Sequence, residues 1–121
     1  MIKVLVVDDD QDVRALLNVW LRGSEFQVVF WVDGYQAVQI ARTQQPDVIL
    51  LDINLPAAKG FVVHERLKRL NSVANVPIVY ISADRTAEAR AIAASAARFL
   101  AKPLEQESVL RAIREVCPSS S

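Results

Sequence analysis

The sequence predicts an α/β domain, a doubly wound parallel sheet of five strands with five helices. Three observations lead there. Short, β-branched apolar runs alternate five times with longer amphipathic stretches, the rhythm of repeated β-α units. Each run is continuously apolar, as strands covered by helices on both faces must be. The polar residues that break the scheme fall at the carboxyl ends of the runs, the edge on which open α/β sheets bind ligands.

The elements follow in order. Ile2 to Val7 (IKVLVV) is a short buried strand. Val13, Leu16, Leu17, Trp20 and Leu21 form a helical stripe, with Asp10 as its N-cap. Gln27 to Trp31 reads as the second strand, and the Asp33-Gly34 turn opens a helix through Ala37, Val38 and Ala41. Asp47 to Leu51 is the third strand, begun just after the helix-breaking Pro46, and Val63, Leu67 and Leu70 mark the third helix. Val76 to Ile81 is the fourth strand, with Pro77 near its start, where a missing donor is tolerated. Thr86 to Ala97 is alanine-rich and helical, with Ile92 its one large apolar side chain. Arg98 to Ala101 is a short fifth strand, and Val109, Ile113 and Val116 define the closing helix. Right-handed connections turn this alternation into a doubly wound sheet. We expect one domain over residues 1–117, with residues 118–121 (PSSS) a tail or the start of a linker.

Composition narrows the function classes. A chain of 121 residues accommodates one domain, and 52% hydrophobic content with three glycines supports a true core. Fourteen basic residues against fourteen acidic ones leave no bulk field to advertise nucleic acid or an anionic membrane as a partner. The single cysteine, Cys117, cannot form an internal disulfide, and no apolar run reaches membrane-spanning length. These features suggest a cytoplasmic protein, with no membrane partner and no nucleic-acid partner within this chain. No recognition helix or basic stripe remains once the five helices are assigned.

The chemistry lies at the strand ends. Asp8 and Asp9 follow the first strand, Asp52 the third, Ser82 the fourth and Lys102 the fifth. If the first and third strands are neighbours, three carboxylates share one crevice and repel each other. A hard divalent cation with oxygen ligands relieves that repulsion, and Mg²⁺, held by a few carboxylates and several waters, fits best. Such a site suits a phosphoryl group: Lys102 supplies a point charge and the Ser82 hydroxyl a hydrogen bond to its oxygens. A carboxylate can attack phosphorus to give an acyl phosphate, and Asp52 is central enough to do so.

Four short motifs in order, Val6-Val7-Asp8-Asp9-Asp10, Leu51-Asp52-Ile53-Asn54-Leu55-Pro56 with Gly60, Ser82-Ala83 and Lys102-Pro103, resemble the receiver domain of two-component response regulators. The resemblance runs from Met1 to about Val116. It implies the flavodoxin-like strand order 2-1-3-4-5 and makes Asp52 the phosphoacceptor, served by a sensor histidine kinase or phosphotransfer protein. It also implies Mg²⁺ held by Asp9, Asp8, Asp52 and the Asn54 backbone carbonyl, a switch made of Ser82 and Phe99, and a cis Lys102-Pro103 bond. The state would be read by an output domain or downstream protein, so the chain would be a signalling switch that catalyses its own phosphorylation and dephosphorylation rather than an enzyme. Asp84 and Asn54 would border the path of the hydrolytic water. Three departures from the usual pattern stand out: Lys59 before Gly60, Ser95-Ala96 in place of Gly-Ala, and a stretch between Ser82 and Lys102 that is about two residues short against common receivers.

Simpler readings compete at several positions. Asp10 and Asp33 are adequately explained as caps, and His64 as a surface residue of the third helix. Trp20 and Trp31 read as core or core-edge, and Cys117 as an incidental thiol. Arg85, Arg90, Arg98, Arg111 and Arg114 form either a solvated face or a surface for a homodimer or another partner. A phosphatase of the haloacid dehalogenase type also uses an aspartyl nucleophile and Mg²⁺, but it resembles Asp-x-Asp, where this chain has Asn54. A receiver serving only for interaction would be favoured had Asp52 or Lys102 been lost.

Overall fold

The computed structural model describes residues 1–23, 25–31, 34–53, 60–84, 87–88 and 96–117. Five parallel strands, β1 (Ile2–Val7), β2 (Phe26–Trp31), β3 (Val48–Asp52), β4 (Ile78–Ser82) and β5 (Arg98–Ala101), stand in the order β2-β1-β3-β4-β5. The expected order and parallel sense are both present. Four helices are described: α1 (Gln11–Trp20), α2 (Gly34–Gln44), α3 (Gly60–Lys68) and α4 (Gln106–Val116). The expected helix over Thr86 to Ala97 falls largely outside the described residues, although Ala87 and Glu88 are helical. Asp33, Asn54, Lys59, Arg85, Arg90, Ser95 and residues 118–121 also lie outside them.

Side chains alternate between the two faces of each strand, and the core splits accordingly. Leu5, Val7, Ile49, Leu51, Ile78 and Tyr80 pack with Ala37 and Ala41 of α2 and with Val63 and Leu67 of α3. Val4, Val6, Val48, Leu50, Val79 and Ile81 pack with Val13 and Leu17 of α1 and with Val109 and Ile113 of α4. Every residue of β3 and β4 is buried, whereas the edge strands β2 and β5 are mostly half-buried. The centre of the sheet therefore carries most of the apolar burial, at about 1.5–3 kcal/mol for each large side chain.

Some boundaries and faces differ from expectation. β3 and β4 begin one and two residues later than read and run to Asp52 and Ser82, because ladder pairing extends to the residues that carry the chemistry. Asp47 instead accepts a hydrogen bond from the Lys3 amide (2.7 Å), at the mouth of the sheet. On α1 the stripe is narrower than read, since Leu16 is 42% exposed while Val13, Leu17 and Leu21 are buried. Asp10 caps α1 as expected, accepting from the amides of Asp12 and Val13. After α1, Gly23 takes a φ of +114°, a conformation that L side chains rarely adopt, as the chain turns back toward β2.

His64 is the clear correction. It is only 5% exposed and bonds through Nδ1 to the Tyr80 hydroxyl, with the two rings edge to face. It shares the helical stripe of Leu67, three residues on, and that spacing was the available signal. Burial, with the nearby Lys68 charge, lowers its pKa to about 4. A histidine depressed in the folded state contributes stability that is present above its ordinary 6.5 and lost as pH falls toward 4. On its own the His64 titration removes about 2 kcal/mol between pH 7 and pH 5. Asp8, described below, works in the opposite direction and offsets more than half of it. Urea unfolding without metal should therefore show a wild-type loss under about 1 kcal/mol over that interval, whereas His64→Asn should gain about 1 kcal/mol. A variant that loses stability as the wild type does would contradict this assignment.

Candidate phosphoryl-acceptor site

The order β2-β1-β3-β4-β5 brings the ends of four strands to one edge of the sheet. Val7 of β1 lies opposite Leu51 of β3, so Asp8 and Asp52 leave neighbouring strands side by side. Ser82 stands opposite Ala101, and its carbonyl accepts from the Lys102 amide (2.8 Å), which sets Lys102 at the mouth of the same crevice. The Lys102-Pro103 bond is cis.

Asp8, Asp9 and Asp52 each offer a carboxylate oxygen, and these lie within 4.8 Å of one another. Asp8 and Asp52 are buried and Asp9 is exposed, so the cluster opens to solvent on one side. The Lys102 ammonium is 3.1 Å from Asp8 Oδ2, 3.5 Å from Asp52 Oδ2 and 3.9 Å from Asp10 Oδ2. Asp8 Oδ1 accepts from the Asp10 amide (2.8 Å). Asp10, read as a cap alone, thus has two tasks, because its second oxygen faces Lys102. Ser82 is fully buried, and its Oγ accepts from the Asp84 amide (2.9 Å). Phe99 of β5 is half-buried against the cluster that contains Tyr80. Asn54 lies outside the described residues.

Burial lifts the Asp8 carboxyl from an ordinary 3.8 to about 6, and the Asp52 charge adds to this, while the Asp10 amide and Lys102 pull it back. For Lys102, burial alone would lower the pKa, but the charges of Asp8 and Asp52 outweigh it and the net shift is upward. Three carboxylates facing one ammonium leave the crevice an excess of negative charge. A hard, oxygen-seeking divalent cation suits that donor set, to which Asp8, Asp9 and Asp52 could each offer one oxygen.

A doubly wound sheet with an acidic, lysine-closed crevice at its carboxyl edge defines a class of phosphoryl-accepting signalling domain. Comparison with known proteins agrees. The profile of the family described as "Response regulator receiver domain" matches residues 4–114. The chain is 41% identical over 103 residues to the transcriptional regulatory protein PrrA of Mycobacterium tuberculosis, covering 84% of this chain and 43% of that one. It is 29% identical to sporulation initiation phosphotransferase F of Bacillus subtilis, covering 98% of this chain and 96% of that one. Among solved structures, the chemotaxis response regulator CheY4 of Vibrio cholerae superposes with a TM-score of 0.87 at 28% identity, covering 96% of this chain and 98% of that one. The receiver domain of sensor histidine kinase PA1611 from Pseudomonas aeruginosa, with a magnesium ion coordinated in its active-site cleft, gives 0.86 at 26% identity, covering 97% and 98%.

The chain belongs to the response regulator receiver domain family. Receiver domains are signalling switches of two-component systems and interact with histidine kinases and output domains. This chain spans less than half the length of the PrrA regulators it matches. Among the described residues, no helix is long and apolar enough to cross a membrane.

Proposed function

We propose that Asp52 accepts a phosphoryl group from the phosphohistidine of a sensor kinase or phosphotransfer protein, or from a small phosphodonor. A carboxylate oxygen of Asp52 forms the new bond to phosphorus as the bond to the donor breaks, leaving an acyl phosphate on this chain. The supporting observation is the crowding of Asp52 by Asp8, Asp9 and the Lys102 ammonium at one strand-end crevice. Asp9, Asp8 and Asp52, with the Asn54 carbonyl, would hold Mg²⁺, which neutralises charge on the phosphoryl oxygens. Lys102 leaves its carboxylate partners in part to meet another of those oxygens. Ser82 turns its hydroxyl to a third, and Phe99 turns inward into the space that movement vacates.

On this reading residues 1–117 are the receiver unit and residues 118–121 a tail or the start of a linker. The cell compartment is the cytoplasm, and the reader is an output domain or downstream protein. The exposed ion pairs Arg98–Glu115 (2.9 Å) and Arg114–Glu25 (2.8 Å) occupy two arginines within the chain, which favours a solvated face over a homodimer there.

Intact mass after incubation with acetyl phosphate and Mg²⁺ tests the proposal. One added phosphoryl group is expected in the wild type and none in Asp52→Ala or with a chelator. If no adduct forms, and beryllofluoride with Mg²⁺ also leaves tryptophan fluorescence unchanged, the chain is an interaction module. Asp84 is exposed beside Ser82, so Asp84→Ala should change the half-life of the acyl phosphate several-fold. An unaltered half-life would remove Asp84 from the water path.

A further inference from the structure

The buried pair His64–Tyr80 has no part in binding a phosphoryl group or a metal. Tyr80 is completely buried in the middle of β4, two residues before Ser82. Its Cα partner on β5 is Phe99, so the two aromatic side chains leave neighbouring parallel strands on the same face. Both pack in the cluster that contains Val63 and Leu67 of α3. On the far side of Tyr80, its hydroxyl meets His64 Nδ1 and the rings stand edge to face at 5.4 Å. With Phe99 at its side and α3 at its tip, the Tyr80 ring cannot shift without disturbing one or the other.

From this juxtaposition we propose that the His64–Tyr80 hydrogen bond couples the Phe99 switch to α3, making α3 part of the surface that changes with phosphorylation. His64 is a positioning residue that acts through Tyr80. The inference rests on the phosphoryl switch proposed above. An inward turn of Phe99 presses on the Tyr80 ring. The hydroxyl, held by His64, then carries that displacement into the helix instead of letting the ring slide past it. The far side of α3 presents Val62, Glu65 and Arg66 to solvent, with Arg69 exposed just past its end, so movement of the helix alters what a partner meets.

Coupling of this kind is separable from folding. Removing one member of a buried hydrogen bond strands the other, but replacing both with apolar groups of similar shape is nearly neutral. The double variant His64→Leu/Tyr80→Phe therefore keeps the core and deletes the link. Hydrogen exchange of the full chain, with and without beryllofluoride and Mg²⁺, reads both regions at once. In the wild type, the reagent should change exchange about fivefold or more in residues 60–68 of α3 and in residues 98–116 of β5 and α4. In the double variant the response of residues 98–116 should remain and that of residues 60–68 should fall within about twofold of none. His64→Asn, which keeps a hydrogen-bonding atom near the place of Nδ1, should retain the α3 response. An α3 response undiminished in the double variant, or absent from the wild type while residues 98–116 respond, overturns the coupling alone. Silence in every region of the wild type overturns the phosphoryl switch, and the coupling with it.

Discussion

Replacing Asp8 by Asn makes the metal-free protein more stable at pH 7, by about 2–3 kcal/mol. The Asp8 carboxyl titrates at about 6 in the fold against an ordinary 3.8, chiefly because it is buried. A carboxyl raised in the folded state contributes stability that is fully present below its ordinary pKa and lost as pH rises through the folded value. At pH 7 the ionised Asp8 is therefore a liability, carried for the sake of the site. Asparagine removes the charge and can still accept from the Asp10 amide. The same substitution removes one of the proposed metal ligands, so any stability that Mg²⁺ adds to the wild type should largely disappear. Urea unfolding at pH 7, in chelator and in saturating Mg²⁺, checks both parts. A variant less stable than the wild type in chelator would mean that the Lys102 pairing outweighs the burial cost. At pH 5 the advantage should shrink to about 1–2 kcal/mol, because the wild-type carboxyl is by then mostly protonated.

Lys102→Met should act in the opposite direction, costing about 3 kcal/mol at pH 7 without metal. The methionine keeps an apolar stem and deletes the ammonium, which lies 3.1 Å from Asp8 and 3.5 Å from Asp52. Two buried carboxylates then face each other without their cation. Lys102 titrates above its ordinary 10.5, so its contribution is present at and below neutral pH and lost as pH rises through the folded value. Saturating Mg²⁺ should restore most of the stability, since a bound cation takes over the neutralisation, and acidification to pH 5 should restore part of it. Phosphoryl uptake from acetyl phosphate should still fall at least tenfold, because the cation does not replace the lysine contact. Full uptake in Lys102→Met would exclude Lys102 from the transfer. The double variant Asp8→Asn/Lys102→Met should cost less than the two effects added, since each change removes the other's partner.

The parts of this protein legible from sequence are those specified by local chemistry. Continuous apolar runs announced the strands, although only β3 and β4 are buried throughout while the edge strands β2 and β5 are mostly half-buried, and Asp10 before Val13 and Leu17 announced the start of α1. Polar residues closing apolar runs marked Asp8, Asp52, Ser82 and Lys102 as members of one edge, since a parallel sheet aligns all its carboxyl ends. Motif order then carried the family. Limits appeared where pairing between distant segments takes over. β3 and β4 reach their last residues because the ladder continues to Asp52 opposite Ile81 and to Ser82 opposite Ala101, and residue patterns do not report such pairing.

Tertiary structure alone decided how far the groups stand apart and what surrounds them. That Lys102 reaches Asp8, Asp10 and Asp52 together depends on β5 lying beside β4 and on the turn after it. The buried state of His64 depends on α3 lying over Tyr80; the three-residue spacing to Leu67 marks the face of the helix, but nothing local names the partner. Sequence determined which groups this protein possesses and on which edge they gather, because strand polarity is a local property. Packing determined which of them are dry and which are paired, because burial and Coulombic contact are properties of neighbours far apart along the chain.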